Sequence, residues 1–281
     1  MMNVLELINI GNEKLRLKNI LSSRIDSEIL AAQALGKNRE KILINLNEKV
    51  DSNKINKFEE LILRRERREP IAYILNEKEF WSKKFEVNNN TLIPRPETEL
   101  MVEKLINVYH KKKLSILDIG TGSGCILISL LSELKDSYGV GVEISKKAIE
   151  IAKRNAIRHN LTNNLKFLKR SFIEIYNQKF DLIVSNPPYV KTRVIRNLDS
   201  DIREFEPITA LDGGNDGLDV IRKVIYKAKE ILKIKGLLAL EIGNEQNRKV
   251  SKILKNNNFR VKYTVKDYKD NIRCLISSRD I

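Results

Sequence analysis

The chain has 281 residues, 42% hydrophobic and 32% charged, and carries a formal net charge of +15. Such a length and balance support one large globular domain or two modest ones with an ample apolar core. They exclude a membrane helix, since no apolar run approaches the roughly 20 residues required, and a disulfide or metal-cluster protein, since Cys125, Cys274, His110 and His159 have no paired spacing.

The opening residues, with Glu6 and Glu13 among Leu and Ile, read as neither signal nor transit peptide, and a reducing, cytoplasmic setting is expected. Most of the positive excess falls after residue 90; it suits an acidic partner or nucleic acid, but a lysine-rich solvated surface explains it more simply, and charge alone decides nothing.

Residues 1–85 read as a small helical bundle domain. Val4, Leu5, Ile8 and Leu15 recur at helical spacing, and Ser27 can cap a second segment that runs through Leu35 with Gly36 just beyond. Phe58 to Leu63 continues the pattern into Arg64-Arg65-Glu66-Arg67-Arg68-Glu69, which reads as a phosphate-binding patch or as an exposed, salt-bridged helix end stopped by Pro70. No catalytic constellation occurs here, so substrate docking is the expected work. Phe80, Trp81, Phe85 and Val87 suggest short strands joining this part to a second domain, residues 86–281. In Ile93-Pro94-Arg95-Pro96-Glu97-Thr98-Glu99, Thr98 can cap a helix through Ile106, while Arg95 and Glu97 either face an active site or anchor the linker.

A strand, Leu114 to Ile119, then opens through Gly120-Thr121-Gly122-Ser123-Gly124 into the apolar helix Ile126 to Leu134. Glycines let a ligand approach the backbone, and the N–H groups of such a turn face it. Gly-x-Gly-x-Gly behind Asp118 resembles motif I of S-adenosylmethionine (SAM) methyltransferases. The strand Tyr138 to Val142 ends in Glu143, a carboxylate placed to accept ribose hydroxyls or to cap the helix from Ser145. Phe172, after the strand Leu165 to Leu168, is a stacking surface for adenine or ordinary core.

Phe180 to Val184 has the β-branched content of a buried strand, and Ser185-Asn186-Pro187-Pro188-Tyr189 forbids it to continue. Asn186 precedes a proline and is therefore extended, presenting its amide at the strand's carboxyl end. The Asn186 side-chain oxygen and the Pro187 carbonyl can each accept one hydrogen of a planar –NH2 group, and Tyr189 offers an aromatic wall. This pattern resembles the signature of methyltransferases acting on planar nitrogens. Beyond it, Val190 to Asp201 reads as a mobile, charged loop suited to closing over a substrate. A helix from Leu218 to Leu232, a strand Gly236 to Glu241, a helix Glu245 to Asn256 and a hairpin of Phe259 to Val265 with Ile272 to Ser277 at the sheet edge complete the chain.

Ile93 to Glu99, the glycine turn, Asn186 to Tyr189, Phe205-Glu206-Pro207 and Gly213-Gly214-x-x-Gly217-Leu218 together resemble the release-factor glutamine methyltransferase family over essentially the whole chain. The resemblance implies a Rossmann-like, doubly wound α/β sheet with an antiparallel edge hairpin. It also implies SAM as cofactor and N5-methylation of the glutamine in the Gly-Gly-Gln motif of peptide-chain release factors. Gly120, Thr121, Gly122, Ser123, Gly124, Glu143, Phe172 and Asn186 would line the cofactor site. Asn186, Pro187, Pro188 and Tyr189 would take the glutamine, with Asn186, Pro187 and Tyr189 carrying the catalysis. A monomer with no membrane contact and no stable nucleic-acid complex is expected. Two departures stand out: Glu143 where Asp is also common, and Ser171-Phe172 in place of Asp-Trp, which weakens the adenine contact. The alternative is an adenine N6 or guanine N2 methyltransferase acting on DNA or RNA; no zinc ribbon, target-recognition domain or aromatic-basic RNA module accompanies it.

Overall fold

The computed structural model describes residues 2–279 and divides into two compact units, residues 2–76 with 200–205 and residues 77–199 with 206–279. The smaller unit is helical: α1 (Val4–Leu17), α2 (Ser23–Leu35), α3 (Arg39–Ile44), α4 (Ser52–Glu66) and α5 (Ile71–Leu75). Helix α1 starts at a capping box in which the Asn3 side chain accepts from Glu6 N–H and Glu6 reaches back to Asn3 N–H. Gly36, at φ +67, ends α2 in the left-handed conformation that glycine tolerates best. Leu7, Ile8, Leu15, Leu30, Phe58 and Ile62 form the core.

Two sequence expectations change here. Ser27 caps nothing; it lies inside α2, fully buried, and its hydroxyl donates to the Ile8 carbonyl at 2.7 Å, binding α2 to α1. The arginine run is only partly surface. Arg64 pairs with Glu69, but Arg65 is buried and donates to Asp26 and Asp201, each at 2.7 Å. Removing Arg65 would leave Asp26 buried without its cationic partner, the arrangement that makes a buried pair costly to break.

The larger unit begins with a hairpin of β1 (Glu77–Phe80) and β2 (Lys83–Glu86), whose Phe80 and Phe85 are fully buried in this unit's core. The hairpin thus packs as part of the larger unit, whereas a boundary at 85 would leave most of it with the helical part. Then follow α6 (Pro96–Tyr109), β3 (Ser115–Ile119), α7 (Cys125–Glu133), β4 (Tyr138–Glu143), α8 (Lys146–Arg158), β5 (Leu165–Lys169) and β6 (Phe180–Ser185). The short helices α9 (Thr192–Ile195) and α10 (Ser200–Arg203, packed in the smaller unit) lead to α11 (Asp219–Ile231), β7 (Leu232–Glu241), α12 (Asn247–Asn256), β8 (Phe259–Lys266) and β9 (Ile272–Arg279).

Seven strands form one sheet in the order β5-β4-β3-β6-β7-β9-β8, parallel from β5 to β7 and antiparallel across β7-β9-β8. Alternate strand residues face opposite layers. Ile116, Leu182, Val184 and Ala239 pack with Leu105, Leu127 and Ile149 of α6, α7 and α8; Leu117, Ile183, Leu238 and Leu240 pack with Ile221, Val224, Val250 and Leu254 of α11 and α12. Strand β7 starts four residues earlier than the periodicity suggests, because Leu232 pairs with Phe180 before an irregularity restores the register at Leu182–Leu237. The segment after Val190 is not a featureless loop. Val190 bridges Asp212, Thr192 donates to the Asp212 carboxylate at 2.7 Å, and two short helices follow. No described helix is long and apolar enough to cross a membrane.

Asn155 ties the hairpin to the glycine turn. It is fully buried in α8; its oxygen accepts from Glu86 N–H at 2.7 Å, and its nitrogen donates to the carbonyls of Glu86 and Ser123 at 3.0 and 2.9 Å. Asn155→Ala would orphan all three backbone groups, so urea denaturation should show a loss of about 2–4 kcal/mol. A loss below about 0.5 kcal/mol would contradict this structural tie.

Candidate active site

Strands β3, β4 and β6 run parallel, so their carboxyl ends share one edge of the sheet, the position at which open α/β sheets build ligand crevices. After β3 the chain turns through Gly120, Gly122 and Gly124, all at positive φ (+73, +54 and +81). The turn is held in place by Gly120 and Thr121 N–H groups donating to the Val142 carbonyl at 2.9 and 3.1 Å. A Cβ added at Gly120 or Gly122 would meet no protein atom within 4 Å. Packing therefore does not require these glycines; their backbone conformation does, and the space above them is open to a ligand.

Two carboxylates and an aromatic ring lie at or just after the ends of strands that finish at this edge. Asp118 is fully buried at the end of β3; Thr121 donates to one carboxylate oxygen at 2.7 Å, while Oδ1 has no partner. Burial pushes this carboxyl up to about 7. Glu143 ends β4: Oε1 accepts from Ile144 and Ser145 N–H at 2.8 and 3.0 Å, and Oε2 from Gly122 N–H at 3.4 Å. Oε1 is thus satisfied by backbone, leaving the Oε2 side for further donors. Glu143 is not the cap of α8, because Ser145 fills that role, accepting from Ala148 N–H. Phe172 opens a single 3-10 turn, half-buried against the core shared with Ile175 and Val142. Ser171 caps this turn by accepting from Ile173 N–H, a job that an aspartate would also perform. Orphaned Asp118 Oδ1, the open glycine turn and Glu143 are a donor and acceptor set that fits an amino acid–nucleoside cofactor.

After β6 the Pro-Pro pair directs the chain away, and Asn186 stands half-buried at the edge. Its Nδ2 donates to Thr98 Oγ1 at 3.4 Å, and Thr98 donates to Glu241 Oε2 at 2.5 Å. Tyr189 donates to Glu241 Oε1 at 3.4 Å and accepts from Arg273 Nη2 at 3.3 Å. The Arg273 guanidinium also lies 5.8 Å from the Tyr189 ring centre. Burial raises Glu241 to about 6 against the pull of Thr98 and Arg273, and raises Tyr189 to about 12. The Tyr189 hydroxyl is committed on both sides, so its ring is the part that remains for a ligand.

Thr98 is not the cap that the sequence suggests. Helix α6 begins at Pro96 with Arg95 as its N-cap, and Thr98 is buried in the first turn facing Glu241. Arg95 belongs to the anchoring reading, since it donates to buried Glu206 at 2.6 Å, and Glu206 also accepts from Ile93 N–H. Glu206 thus fastens the Pro94–Pro96 approach to the Phe205-Glu206-Pro207 segment.

The remaining glycines shape the backbone around Tyr189. A Cβ at Gly213 would stand 2.7 Å from the Pro188 carbonyl oxygen, and one at Gly217 2.4 Å from that of Tyr189. Gln246 donates to the carbonyls of Tyr189 and Gly217 at 3.1 and 3.2 Å and accepts from Gly243 N–H at 2.8 Å. Sequence reasoning missed Thr98 in this role, Glu241, Arg273 and Gln246; the one available signal was a Glu directly after the apolar stretch Leu237 to Leu240. No group of three or more potential metal ligands occurs among the described residues, and Cys125 and Cys274 are buried and unpaired.

Comparison with known proteins agrees with both units. The family described as the PrmC N-terminal domain matches residues 6–75, and a methyltransferase domain family matches residues 110–276. A bifunctional methyltransferase of Rickettsia felis is 34% identical over 98% of this chain, which spans only 58% of that longer protein. Release factor glutamine methyltransferases of Buchnera aphidicola and Haemophilus influenzae are 40% and 39% identical, covering 94% and 91% of this chain and 95% and 91% of their own length. Among solved structures, the hMettl16 catalytic domain superposes with a TM-score of 0.57 at 16% identity over 84% of this chain and 87% of its own. A Pyrococcus furiosus methyltransferase does so at 0.53 and 19%, over 70% and 89%. At those identities the likeness concerns the fold. The near full-length relatives carry the assignment: the chain belongs to the release factor glutamine methyltransferase family.

Proposed function

We propose that this chain methylates the side-chain amide nitrogen, N5, of the glutamine in the Gly-Gly-Gln motif of peptide-chain release factors, with SAM as methyl donor. The observation that carries the reading is a half-buried Asn186, at the edge where the glycine turn and Glu143 also end, whose nitrogen is held by Thr98, so that its oxygen is the end left for a substrate. Relatives of near equal length bearing that name support the same substrate. The helical unit is assigned the docking of the release factor, since it carries no catalytic cluster.

An amide nitrogen is a poor nucleophile because its lone pair is delocalised into the carbonyl. SAM supplies a strongly activated methyl group when bound. The protein's part is then positioning: the Asn186 oxygen and Pro187 carbonyl accept the two hydrogens of the glutamine –NH2, and the Tyr189 ring confines its plane. The same two oxygens stabilise positive charge developing on the nitrogen, and the surplus proton leaves to water. Glu143 and the turn from Gly120 to Gly124 would hold the cofactor, with Phe172 beside its base.

Incubation of the protein with methyl-labelled SAM and purified release factor should place label on the Gly-Gly-Gln glutamine. Label on DNA or RNA instead, with release factor unmarked, would overturn the assignment in favour of a base amino-methyltransferase. Glu143→Ala should weaken SAM binding by about 1–3 kcal/mol through loss of a charged acceptor for the ribose. Wild-type affinity by calorimetry in a folded Glu143→Ala protein would remove Glu143 from the cofactor site.

A further inference from the structure

An asparagine amide has two ends, oxygen and nitrogen, of nearly the same size and shape, so packing alone does not choose between them. For Asn186 the difference decides everything: oxygen outward accepts from a substrate –NH2, whereas nitrogen outward meets it donor to donor. Something must choose, and the hydrogen-bond chain behind Asn186 has fixed ends. Arg273 can only donate, and ionised Glu241 can only accept.

The polarity of each intermediate bond follows. Glu241 is 1% exposed and receives Thr98 at 2.5 Å and Tyr189 at 3.4 Å. Because the carboxylate offers no proton, the Thr98 hydroxyl must spend its single hydrogen on Glu241. Thr98 Oγ1 is then left with lone pairs alone, and only the –NH2 end of Asn186 can face it. At the other branch, Arg273 donates to Tyr189, whose hydroxyl hydrogen goes to Glu241, so nothing on that side can reverse the order. Two hydroxyl donors and the nearby Arg273 charge favour the ionised carboxylate, opposing the burial that lifts it to about 6.

We propose that Thr98 and Glu241 are positioning residues that set the flip of the Asn186 amide, keeping its oxygen directed at the substrate –NH2 group. The inference rests on the reading that Asn186 grips an –NH2 group, and it adds the device that makes the grip one-sided. Thr98 is suited to the task because it is 2% exposed, at the start of α6, so that water cannot take over its hydroxyl. Neither residue touches the reacting atoms.

The test compares Thr98→Val, which keeps the shape and removes the hydroxyl, with Thr98→Ser, which keeps the hydroxyl. Thr98→Val should lower kcat about tenfold or more, as expected for loss of one positioning hydrogen bond, with KM for release factor and SAM affinity near wild type. Thr98→Ser should recover most of that rate. Glu241→Gln, close in volume but able to donate, should also lower kcat rather than raise KM, because Thr98 no longer has a fixed direction. A Thr98→Val protein at wild-type kcat, or a Thr98→Ser protein as slow as Thr98→Val, would overturn the proposal. Should Thr98→Val fail to fold, the Glu241→Gln split decides: an unchanged kcat overturns the proposal. A wild-type protein that marks a nucleobase instead of release factor would refute the functional reading alone. The same comparison then runs on that base, whose exocyclic –NH2 makes the same demand on Asn186.

Discussion

The constraint on which the rest depends is that β3, β4 and β6 must end together. They are neighbours in a parallel register, Ile119 beside Val142 and Ser185, so whatever terminates each strand appears on one edge. Gly120 terminates the first by turning at positive φ, Glu143 closes the second, and Pro187 ends the third by lacking an N–H to donate. Each terminator is, or sits beside, one of the groups proposed to form the site. The sheet thus brings residues far apart in sequence to one edge without any of them needing a long loop.

Holding Asn186 and Tyr189 at that edge requires buried polar groups, which are costly unless every one is satisfied. Glu241 meets this condition with two hydroxyl donors, and the nearby Arg273 charge offsets part of its desolvation. Glu206 meets it with the Arg95 guanidinium and a backbone N–H. Asp118 Oδ1 and Arg273 Nε do not, and with Ser129 Oγ in α7 they are the buried side-chain atoms without partners among the described residues. Asp118 faces the glycine turn, where an unsatisfied acceptor is a stability cost that a bound ligand's donors would relieve. Arg273 Nε has no comparable account.

Much of this was legible in the chain. The apolar runs of β3 and β6, the glycine turn and Asn-Pro-Pro-Tyr announce the edge by local chemistry, since each depends on residues adjacent in sequence. The edge hairpin was legible from two strand patterns across a polar turn, and it appears as β8 and β9. Contacts between distant residues were not. Thr98 looks like a helix cap because Pro94 and Pro96 precede it, and only the fold shows Glu241, 143 residues later, lying within reach. Ser27 misleads for the same reason, as a good capping residue used instead to join two helices. Gln246 and the glycines at 213 and 217 are understood only when the Tyr189 backbone is seen between them.

The central claim is that Asn186 orients an amide nitrogen, and Asn186→Asp measures it most directly. The substitution keeps an acceptor of similar shape, removes the Nδ2 donor to Thr98 and adds a negative charge. The account predicts SAM affinity close to wild type by calorimetry and single-turnover methylation of release factor slowed about a hundredfold or more, the scale for losing a preorganised polar contact. Single-turnover rates within a few-fold of wild type would contradict it, because the amide would then be gripped elsewhere.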